Sequence, residues 1–516
     1  MKKCIPTSLH QLLTIPSESG LADVIVTGIS SDSRSVVAGD LFIARDGISH
    51  RGVDFIGMAA KAGAVAAVVE RQTTSLDELV QFSIPVYQVE DLSKKAGLYA
   101  SQMWHSPSNK MTVIGVTGTN GKTSCAHYIA QALSALGQKT AVLGTVGNGF
   151  LGALVSATHT TPDAVSLQRM LADFYSQGAK VVVMEVSSHA LDQGRVAGVE
   201  FDVVALTNLS RDHLDYHGSM EAYAAAKSQL FLYDHTEASK AAGTRSEIVG
   251  KAHRRIVLNA DDEFGRKLAG QLSANGQSFC SYSTRMPRSS EVSVAVKNAL
   301  LSPNGVALEV SLADTDIQFD APVVGDFNIS NLLLVVSVLL QLQIPSTQIK
   351  TAMAQVSAVT GRMECLSRKG CPAVVVDYAH TPDALEKALL AARKHCQNLL
   401  WVVFGCGGDR DTGKRAEMAV IAEQLADKVV VTSDNPRTEN PDVIIEMIMQ
   451  GFIEAEAVLV LPERETAIGH AIQMAGADDL ILIAGKGHED YQDIMGVKYP
   501  FRDKEIANRW MERRSS

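Results

Sequence analysis

The sequence predicts an α/β protein of three domains: a smaller α/β domain at the N-terminus, then two domains that each contain a doubly wound, mostly parallel sheet. Two observations predict this architecture. The chain has 516 residues, too many for a single hydrophobic core. Beyond the first domain, apolar runs of strand length alternate with helical stretches, which is typical of parallel strands joined by crossover helices. We therefore place the domains at residues 1–108, 109–358 and 359–516.

The first domain is predicted from short apolar runs separated by polar or helical stretches. The segment from Leu92 to His105 predicts a helix, and the SPSN segment after it predicts a linker to the next domain. The apolar runs are VIVTGIS, GDLFIA, AVAAVVE and PVYQVED.

The central domain begins with buried-strand patterns that have helical stretches between them. Two later runs, VSVAVKNALL and GVALEVSLAD, follow one another without a helical spacer, which predicts an antiparallel appendage. A helix from about Ile329 to Gln341 is predicted to lead out of the domain. The buried-strand patterns are MTVIGVTG, TAVLGTV, KVVVMEVSS and FDVVALTNLS.

The third domain starts near GRMECL and repeats the alternation of strands and helices, so a second doubly wound sheet is predicted. Its predicted strands are AVVVDYAH, LLWVVFGCGG, KVVVTSD, VLVLPER and LILIAGKG.

Composition and the pattern of apolar residues disfavour several classes of protein. The 47 Lys and Arg residues against 57 Asp and Glu residues give a formal net charge of −10, which disfavours a general nucleic-acid partner. No apolar segment has the length of a membrane span, and the N-terminus lacks the apolar core of a signal peptide. We therefore expect a cytoplasmic protein, and we expect a monomer. The cysteines, which we interpret as reduced thiols, are Cys4, Cys125, Cys280, Cys365, Cys371, Cys396 and Cys406.

Polar motifs follow the predicted strands at the point where each strand ends. In doubly wound sheets, ligands bind beyond the carboxyl ends of the strands, so these motifs predict binding sites. The motifs are TGTNGKT, EVSSH, NLSRDH, DYAHTPD, GGDRD, SDNPR and GKGHED.

The segment Thr117–Thr123, TGTNGKT, has the character of a phosphate loop because it lies between a strand and a helix. Small residues let backbone N–H groups approach phosphate oxygens, and a helix N-terminus favours negative charge. Lys122 is expected to bridge the terminal phosphates, and Thr123 to bind magnesium. Gly118 lies only three residues before Gly121, so the usual spacing is not matched. The alternative is a glycine turn with an incidental lysine.

Glu185 and His213 both follow apolar strands, and a carboxylate and an imidazole at neighbouring strand ends can hold a divalent cation. Each residue alone is more often structural. The phosphate loop alone does not distinguish a kinase, a switch GTPase and a ligase, so all three remain possible at this point.

The motifs together resemble those of the Mur ligase family. The resemblance covers nearly the whole chain and includes SDSR and GDLFIAR in the first domain. Its later motifs occur in the family's order and read EVSSHALDQGR, NLSRDHLDYHG, AYAAAKSQLF, GDFNISN, GRME, DYAHTPDAL, FGCGGDRD, DNPRTENP and AGKGHEDYQ.

The resemblance implies an ATP-dependent ligase with one substrate for each domain: a UDP-linked muramoyl dipeptide, ATP and an amino acid. The implied chemistry has two steps. A substrate carboxylate attacks the γ-phosphate of ATP to give an acyl phosphate, and the amine of the amino acid then displaces phosphate. The complete DNPR motif implies that meso-diaminopimelate is added to UDP-N-acetylmuramoyl-L-alanyl-D-glutamate, as in synthesis of peptidoglycan precursors.

The resemblance also implies roles for individual residues. Lys122, Lys227 and His213 are implied to be catalytic. Lys227 matches a lysine that is carbamylated in the family, and it is implied to be a magnesium ligand together with Thr123, Glu185 and His213. The implied ATP contacts are Gly118, Thr119, Asn120, Gly121, Lys122, Thr123, Asn328, Arg362, Tyr378 and His380.

The remaining implied contacts are those of the two other substrates. The chain departs from the family pattern at Ile48-Ser49-His50 and at His159, where the family has asparagine. The implied contacts to the UDP-muramoyl dipeptide are Ser31, Ser33, Ile48, Ser49, His50, Thr160, Thr161, Ser187, Gln193 and Arg195. The implied contacts to diaminopimelate are Arg410, Asp434, Asn435, Pro436, Arg437, Gly485 and Glu489.

Other interpretations remain open. A sibling ligase that adds lysine has the same framework, although DNPR favours diaminopimelate. A folylpolyglutamate synthase is disfavoured by SDSR in a separate N-terminal domain. A phosphate-loop switch or motor protein has no use for the arginines of the third domain. A catalytically inactive scaffold has no need of Lys122, Glu185, His213 and Lys227.

Overall fold

The computed structural model describes residues 6–14, 23–47, 50–157, 159–232, 254–286, 292–303 and 305–515, without the side chains of Leu76 and Glu78. The chain forms two compact units, Met1–Ser281 and Tyr282–Ser516.

The described strands of the first unit form three sheets. In chain order they are β1 Thr7–Ser8, β2 Ile25–Val26, β3 Gly28–Ser30, β4 Asp40–Ala44, β5 Ala66–Glu70, β6 Val86–Val89, β7 Thr112–Thr117, β8 Thr140–Leu143, β9 Asn148–Phe150, β10 Ala153–Val155, β11 Val181–Glu185, β12 Val203–Leu206 and β13 Arg255–Asn259. Strands β1 and β2 are an antiparallel pair, and β3-β4-β5-β6 is a parallel sheet. Within this unit, the strands of the large sheet have the order β10-β9-β8-β11-β7-β12-β13.

Its central strands β8, β11, β7, β12 and β13 are parallel, as the alternating pattern predicts. The predicted helix at Leu92 ends at Met103, and the SPSN segment forms part of a 3₁₀ helix, Pro107–Lys110, where a linker was predicted. The α-helices of this unit are Leu9–Leu13, Ile56–Ala62, Leu76–Leu79, Leu92–Met103, Lys122–Ala135, Ala164–Ser176, Ser188–Asp192, Leu214–His217, Met220–Leu232 and Glu263–Ala274, and a further 3₁₀ helix is Gly52–Phe55.

The described strands of the second unit form three groups. They are β14 Cys280–Ser283, which crosses the unit boundary, β15 Val294–Ser302, β16 Gly305–Leu312, β17 Asp316–Ala321, β18 Glu364–Leu366, β19 Ala373–Asp377, β20 Leu400–Phe404, β21 Lys428–Val431, β22 Leu459–Val460, β23 Leu480–Ala484, β24 Tyr491–Ile494 and β25 Val497–Pro500. Strands β15 and β16 are antiparallel, as predicted, and β17 extends them with a third strand that was not predicted.

The main sheet of this unit has the order β18-β19-β23-β20-β21-β22, and all its strands except β18 run parallel. Both faces are covered, which explains the continuous apolar runs of its strands. Val375 of β19 packs in one core cluster, and Val374 and Val376 pack in another on the opposite face. The doubly wound sheet is therefore confirmed.

The helices of the second unit lie between its strands in sequence, except the last helix, which follows β25. The helix predicted from Ile329 begins two residues earlier, at Phe327, and ends at Gln341 as predicted. The α-helices are Phe327–Gln341, Ser346–Met353, Pro382–Arg393, Gly413–Leu425, Pro441–Met449, Arg464–Met474 and Asp503–Ser515, and a short 3₁₀ helix is Ala455–Ala457.

Candidate active site

The predicted phosphate loop joins β7 to the helix Lys122–Ala135. Gly118 has a φ of 144°, and a Cβ atom there would lie 1.8 Å from the Thr207 Oγ1, so only glycine fits this close approach. Asn208 of the NLSRDH motif holds the loop: its carbonyl oxygen accepts from the Thr119 N–H at 2.8 Å, and its Oδ1 accepts from the Asn120 N–H at 3.0 Å. The conformation of the predicted phosphate loop therefore depends on the ends of two strands, β7 and β12.

Lys122, at the start of that helix, folds back over the loop. Its Nζ donates to the carbonyl oxygens of Gly118 at 3.0 Å and Thr119 at 2.9 Å. Burial lowers the pKa of Lys122, and the nearby Glu185 carboxylate acts in the opposite direction. A cation is therefore held where the phosphates of a nucleotide would bind.

Glu185 ends β11 and is fully buried. Its carboxylate accepts from the Thr123 hydroxyl at 2.9 Å and from the Thr145 backbone N–H at 2.8 Å. Burial raises the pKa of Glu185 despite these bonds. Carboxylate and hydroxyl oxygens are hard donors, so the Glu185 and Thr123 oxygens fit a magnesium ion beside the phosphate loop.

Lys227 lies in the helix Met220–Leu232, and only 1% of its surface is exposed. Its Nζ donates to the Gly118 carbonyl oxygen at 2.9 Å and lies 4.6 Å from the centroid of the Tyr223 ring. Burial, together with the positive charge of Lys122, lowers the pKa of Lys227 to about 7. Burial therefore favours the neutral form of this amine, which is the form that carbamylation requires.

His213 belongs to a group of rings beside Lys227. It has a left-handed backbone (φ 52°), its Nε2 lies 3.5 Å from the Asp212 Oδ2, and its ring centroid is 4.8 Å from that of His189. In the described ranges of the chain, no three His, Cys, Asp or Glu side chains form a group that would hold a metal ion.

The residues implied to contact the muramoyl dipeptide in the central domain form a connected network. The Thr161 hydroxyl donates to the Glu185 carbonyl oxygen at 2.9 Å and lies 3.4 Å from the Ser187 Oγ. Arg195 donates to the Gln193 Oε1 at 2.6 Å and 2.9 Å and to the Thr161 carbonyl oxygen at 3.1 Å. Thr160 also joins this region, with its Oγ1 3.1 Å from that of Thr145.

A cavity of about 570 Å³ lies beside β3 and β4. Ser31, Ser33 and His50 line it together, as the resemblance implies, whereas Ile48 and Ser49 fall outside the described residues. The wall also contains charged residues for which the sequence predicted no role, among them Arg45 and Asp163. The Ser31 hydroxyl donates to the Asp163 Oδ1 at 2.7 Å.

In the second unit, three of the residues implied to contact ATP lie close together. The ring centroids of Tyr378 and His380 are 4.6 Å apart, and the Arg362 guanidinium lies 5.4 Å from the centre of the Tyr378 ring. The Arg362 Nε is buried without a hydrogen-bond partner in the described structure. Asn328 is buried at the start of the helix Phe327–Gln341 and donates to the Val324 carbonyl oxygen at 2.8 Å.

The residues implied to contact diaminopimelate follow β20, β21 and β23, three strands that are neighbours in the sheet. Asp434 and Asn435 are buried, and the Asn435 Nδ2 donates to the Glu489 Oε2 at 2.7 Å. Burial raises the pKa of Asp434, although Arg464 and Lys486 act in the opposite direction. A Cβ atom on Gly485 would lie 2.5 Å from the Asp434 Oδ2, so glycine leaves room for this carboxylate.

Arg437 is fixed through its backbone as well as its side chain. Its φ is 51°, and its N–H and carbonyl groups bond to Asp493 and Met495 of the hairpin β24–β25. Its Nη1 donates to the Gly408 carbonyl oxygen at 2.6 Å. Pro436 beside it is buried, and Arg410 is exposed on the neighbouring loop. Two guanidinium groups therefore lie on adjacent loops of one sheet edge.

Family models match three successive segments of the chain. Residues 25–103 match a model described as Mur ligase family, catalytic domain; residues 116–339 match the Mur ligase middle domain; and residues 361–487 match the Mur ligase glutamate ligase domain. The chain belongs to the Mur ligase family. The resemblance recognised in the sequence is therefore confirmed.

Several relatives are similar over nearly the whole chain. A protein of Coxiella burnetii named UDP-N-acetylmuramoyl-L-alanyl-D-glutamate–2,6-diaminopimelate ligase is 44% identical over 97% of this chain and 99% of its own. A protein of the same name from Pseudomonas aeruginosa is 45% identical over 98% of each chain. A solved structure with that name superposes with a TM-score of 0.76 at 32% identity, covering 99% of this chain and 100% of its own.

Within the ranges that the structure describes, the helices are too short or too polar to cross a membrane.

Proposed function

We propose that this member of the Mur ligase family adds meso-diaminopimelate to UDP-N-acetylmuramoyl-L-alanyl-D-glutamate, with ATP as the energy source, in the cytoplasmic synthesis of peptidoglycan precursors. One observation carries the choice of amino acid: the arginine of the DNPR motif, Arg437, is held by backbone and side-chain bonds at the sheet edge where Asp434, Asn435 and Glu489 meet. The names and near-complete coverage of the relatives support the same substrates.

We propose that the three predicted domains bind one substrate each. Residues 1–108 and the network around Thr161 hold the UDP-muramoyl dipeptide, residues 109–358 supply the phosphate loop, and residues 359–516 hold the amino acid. The cavity that contains Ser31, Ser33 and His50 supports the first assignment, since it offers polar groups in a concave wall.

The phosphate loop and its surroundings suit phosphoryl transfer to a carboxylate. Backbone N–H groups at the helix N-terminus bind phosphate oxygens, and Lys122 neutralises charge on the group that is transferred. Thr123, Glu185 and His213 would hold magnesium, with Lys227 as a carbamate, and this ion supplies further positive charge to the phosphates. The rate of phosphoryl transfer gains most when the attacking carboxylate and the γ-phosphate are held in line, because positioning removes the entropic cost of their encounter.

The second half-reaction is amide formation from the acyl phosphate. The reacting amine must be neutral, whereas the far end of diaminopimelate carries an ammonium and a carboxylate. Glu489 is suited to the ammonium and Arg437 to the carboxylate, because a guanidinium can bind a carboxylate through two parallel charge-assisted hydrogen bonds. Lysine lacks this carboxylate and would leave the guanidinium without its ligand.

Substitution of Arg437 tests the proposed amino acid. Sites that leave a polar group unpaired reject an analogue by about 10⁴-fold or more, so the wild-type protein should strongly prefer diaminopimelate to lysine. Arg437→Ala should raise the KM for diaminopimelate and narrow that preference. The measurement is kcat/KM for both amino acids, with formation of the amide product followed directly.

The matched control is Arg393→Ala. Arg393 pairs with Asp427, which precedes β21 and lies at the opposite edge of the same sheet. This variant should keep the wild-type preference. A wild-type preference for lysine would overturn the proposed substrate, and an unchanged ratio in Arg437→Ala would place the discrimination elsewhere in the pocket.

A further inference from the structure

Lys486 is a buried cation beneath the proposed amino-acid pocket. It follows β23, and its side chain has no exposed surface. The glycines on either side of it have φ values of 119° and 52°, conformations that let the chain turn sharply at this point. A buried ammonium must be compensated by nearby acceptors, so its neighbours define its role.

These neighbours are three of the residues implied to contact the amino acid. The Lys486 Nζ lies 2.9 Å from the Asn435 Oδ1, 3.2 Å from the Glu489 Oε2 and 3.6 Å from the Asp434 Oδ1. One ammonium therefore joins the loop after β21 to the loop after β23.

The ammonium also fixes the orientation of its partners, because it can only donate hydrogen bonds. Asn435 must present its oxygen, which also accepts from the Asp493 N–H at 2.9 Å. The amide nitrogen of Asn435 is thereby turned toward Glu489, where it donates to the same Oε2 that Lys486 contacts. In the described structure both bonds of the Glu489 carboxylate go to Oε2, so Oε1 is left for another donor.

We propose that Lys486 is a positioning residue that anchors Glu489 through Oε2 and so presents Oε1 to the amino group of diaminopimelate that does not react. This inference rests on the proposed function. A carboxylate favours the protonated form of an amine beside it, and a protonated amine is no nucleophile, so Glu489 suits the non-reacting amino group. Lys486 reaches no substrate itself; it acts through Glu489 and Asn435.

The test compares diaminopimelate with 2-aminoheptanedioate, which keeps both carboxylates and lacks one amino group. Wild-type protein should prefer diaminopimelate. Lys486→Met should raise the KM for diaminopimelate about 10- to 100-fold, because that is the usual effect of losing hydrogen bonds to a charged group. The preference for diaminopimelate over 2-aminoheptanedioate should fall by a similar factor. The KM values for ATP and for the muramoyl dipeptide should not change. Arg437→Ala removes a carboxylate contact that both amino acids share. It should therefore raise the KM for both and preserve the ratio of their kcat/KM values.

The control for a purely structural effect is Asp479→Asn. Asp479 is 2% exposed, and its carboxylate accepts from the Leu399 N–H and the Trp401 Nε1 at the opposite end of β23. This variant should lower the midpoint of thermal unfolding without changing the preference. If Lys486→Met does not fold, Lys486→Gln, which keeps N–H donors and loses the charge, should show the same change in a smaller degree.

The outcomes separate the two claims. If wild-type protein forms no amide with diaminopimelate, the proposed function fails, and the role of Lys486 fails with it. If wild-type protein forms the amide and a folded Lys486 variant keeps the wild-type preference, only the role of Lys486 is overturned.

Discussion

Lys227 is an amine in surroundings that disfavour its charged form. Within the described part of the chain it forms no ion pair, its nearest acceptor is the Gly118 carbonyl oxygen, and its pKa falls to about 7. A neutral amine can add carbon dioxide, and the resulting carbamate carries a negative charge. Lys122 and the proposed magnesium would stabilise that charge. The local electrostatics therefore support the carbamate that the family resemblance implies.

Substitution of Lys227 tests this proposal. Lys227→Ala should be nearly inactive, and a small carboxylic acid added in solution should partly restore activity by replacing the missing anion. Lys227→Arg should stay inactive, because guanidinium keeps its charge and forms no carbamate. Wild-type protein incubated with ¹³C-bicarbonate should show a carbamate carbon signal in NMR that the alanine variant lacks. Full activity of Lys227→Arg would contradict the proposal.

For individual residues, the sequence predicted which positions belong to the candidate site better than it predicted which side chains contact each other. Lys122 and Glu185 were identified because each lies at the end of an apolar strand run, and the structure places both at the phosphate loop. Lys486 was quoted in a motif and given no role, since its partner Asn435 is 51 residues away in the chain. Asp163 was missed for the same reason: Ser31 lies 132 residues before it. A single sequence carries no direct signal for such pairs.

Asp163, at the start of a helix, has a part in both helix stability and the wall of the cavity. It caps the helix Ala164–Ser176 by accepting from the backbone N–H groups of Val165 and Ser166, and it also accepts from Ser31 in the wall of the cavity. Burial alone would raise its pKa, yet these hydrogen bonds hold the pKa of Asp163 below its ordinary value. The same carboxylate thus caps a helix and positions Ser31, a predicted substrate contact.

Asp163→Ala should lower the free energy of unfolding by about 1 kcal/mol, the usual cost of losing an N-cap, and raise the KM for the muramoyl dipeptide. Asn440→Ala is the matched control, because Asn440 caps the helix Pro441–Met449 by accepting from the Asp442 N–H. The control should lose similar stability and keep the wild-type KM. Chemical denaturation and steady-state kinetics on both variants make the comparison. Equal KM values in the two variants would show that Asp163 has no part in binding.

The elements themselves were largely predictable. Strands such as β19 and β23 are covered on both faces, so their sequences are uninterrupted apolar runs that end at a polar motif. Strand β17 was missed because its residues alternate between exposed and buried, and DIQFDA contains too few apolar residues to stand out. The hairpin β24–β25 was also missed, since β25 is exposed throughout and has no apolar face to reveal it.

The residues proposed for ATP cleavage and for amino-acid binding are divided between the two units of the chain. The phosphate loop belongs to the first unit, and Arg437 and Glu489 belong to the second. A simple nucleotidase needs only the phosphate loop, whereas a ligase must make ATP cleavage depend on the acceptor carboxylate and the amine. The proposed function therefore predicts that phosphate release is coupled to both of the other substrates.

The most direct test measures phosphate release by the full chain with ATP and magnesium while the other substrates are added singly and together. We expect rapid, sustained release only when UDP-N-acetylmuramoyl-L-alanyl-D-glutamate and meso-diaminopimelate are both present, with one amide formed for each phosphate. Lys122→Ala should abolish most of it, because that lysine is the cation of the loop. ATP hydrolysis that is equally fast without the dipeptide and the amino acid would contradict the account and indicate a plain nucleotidase.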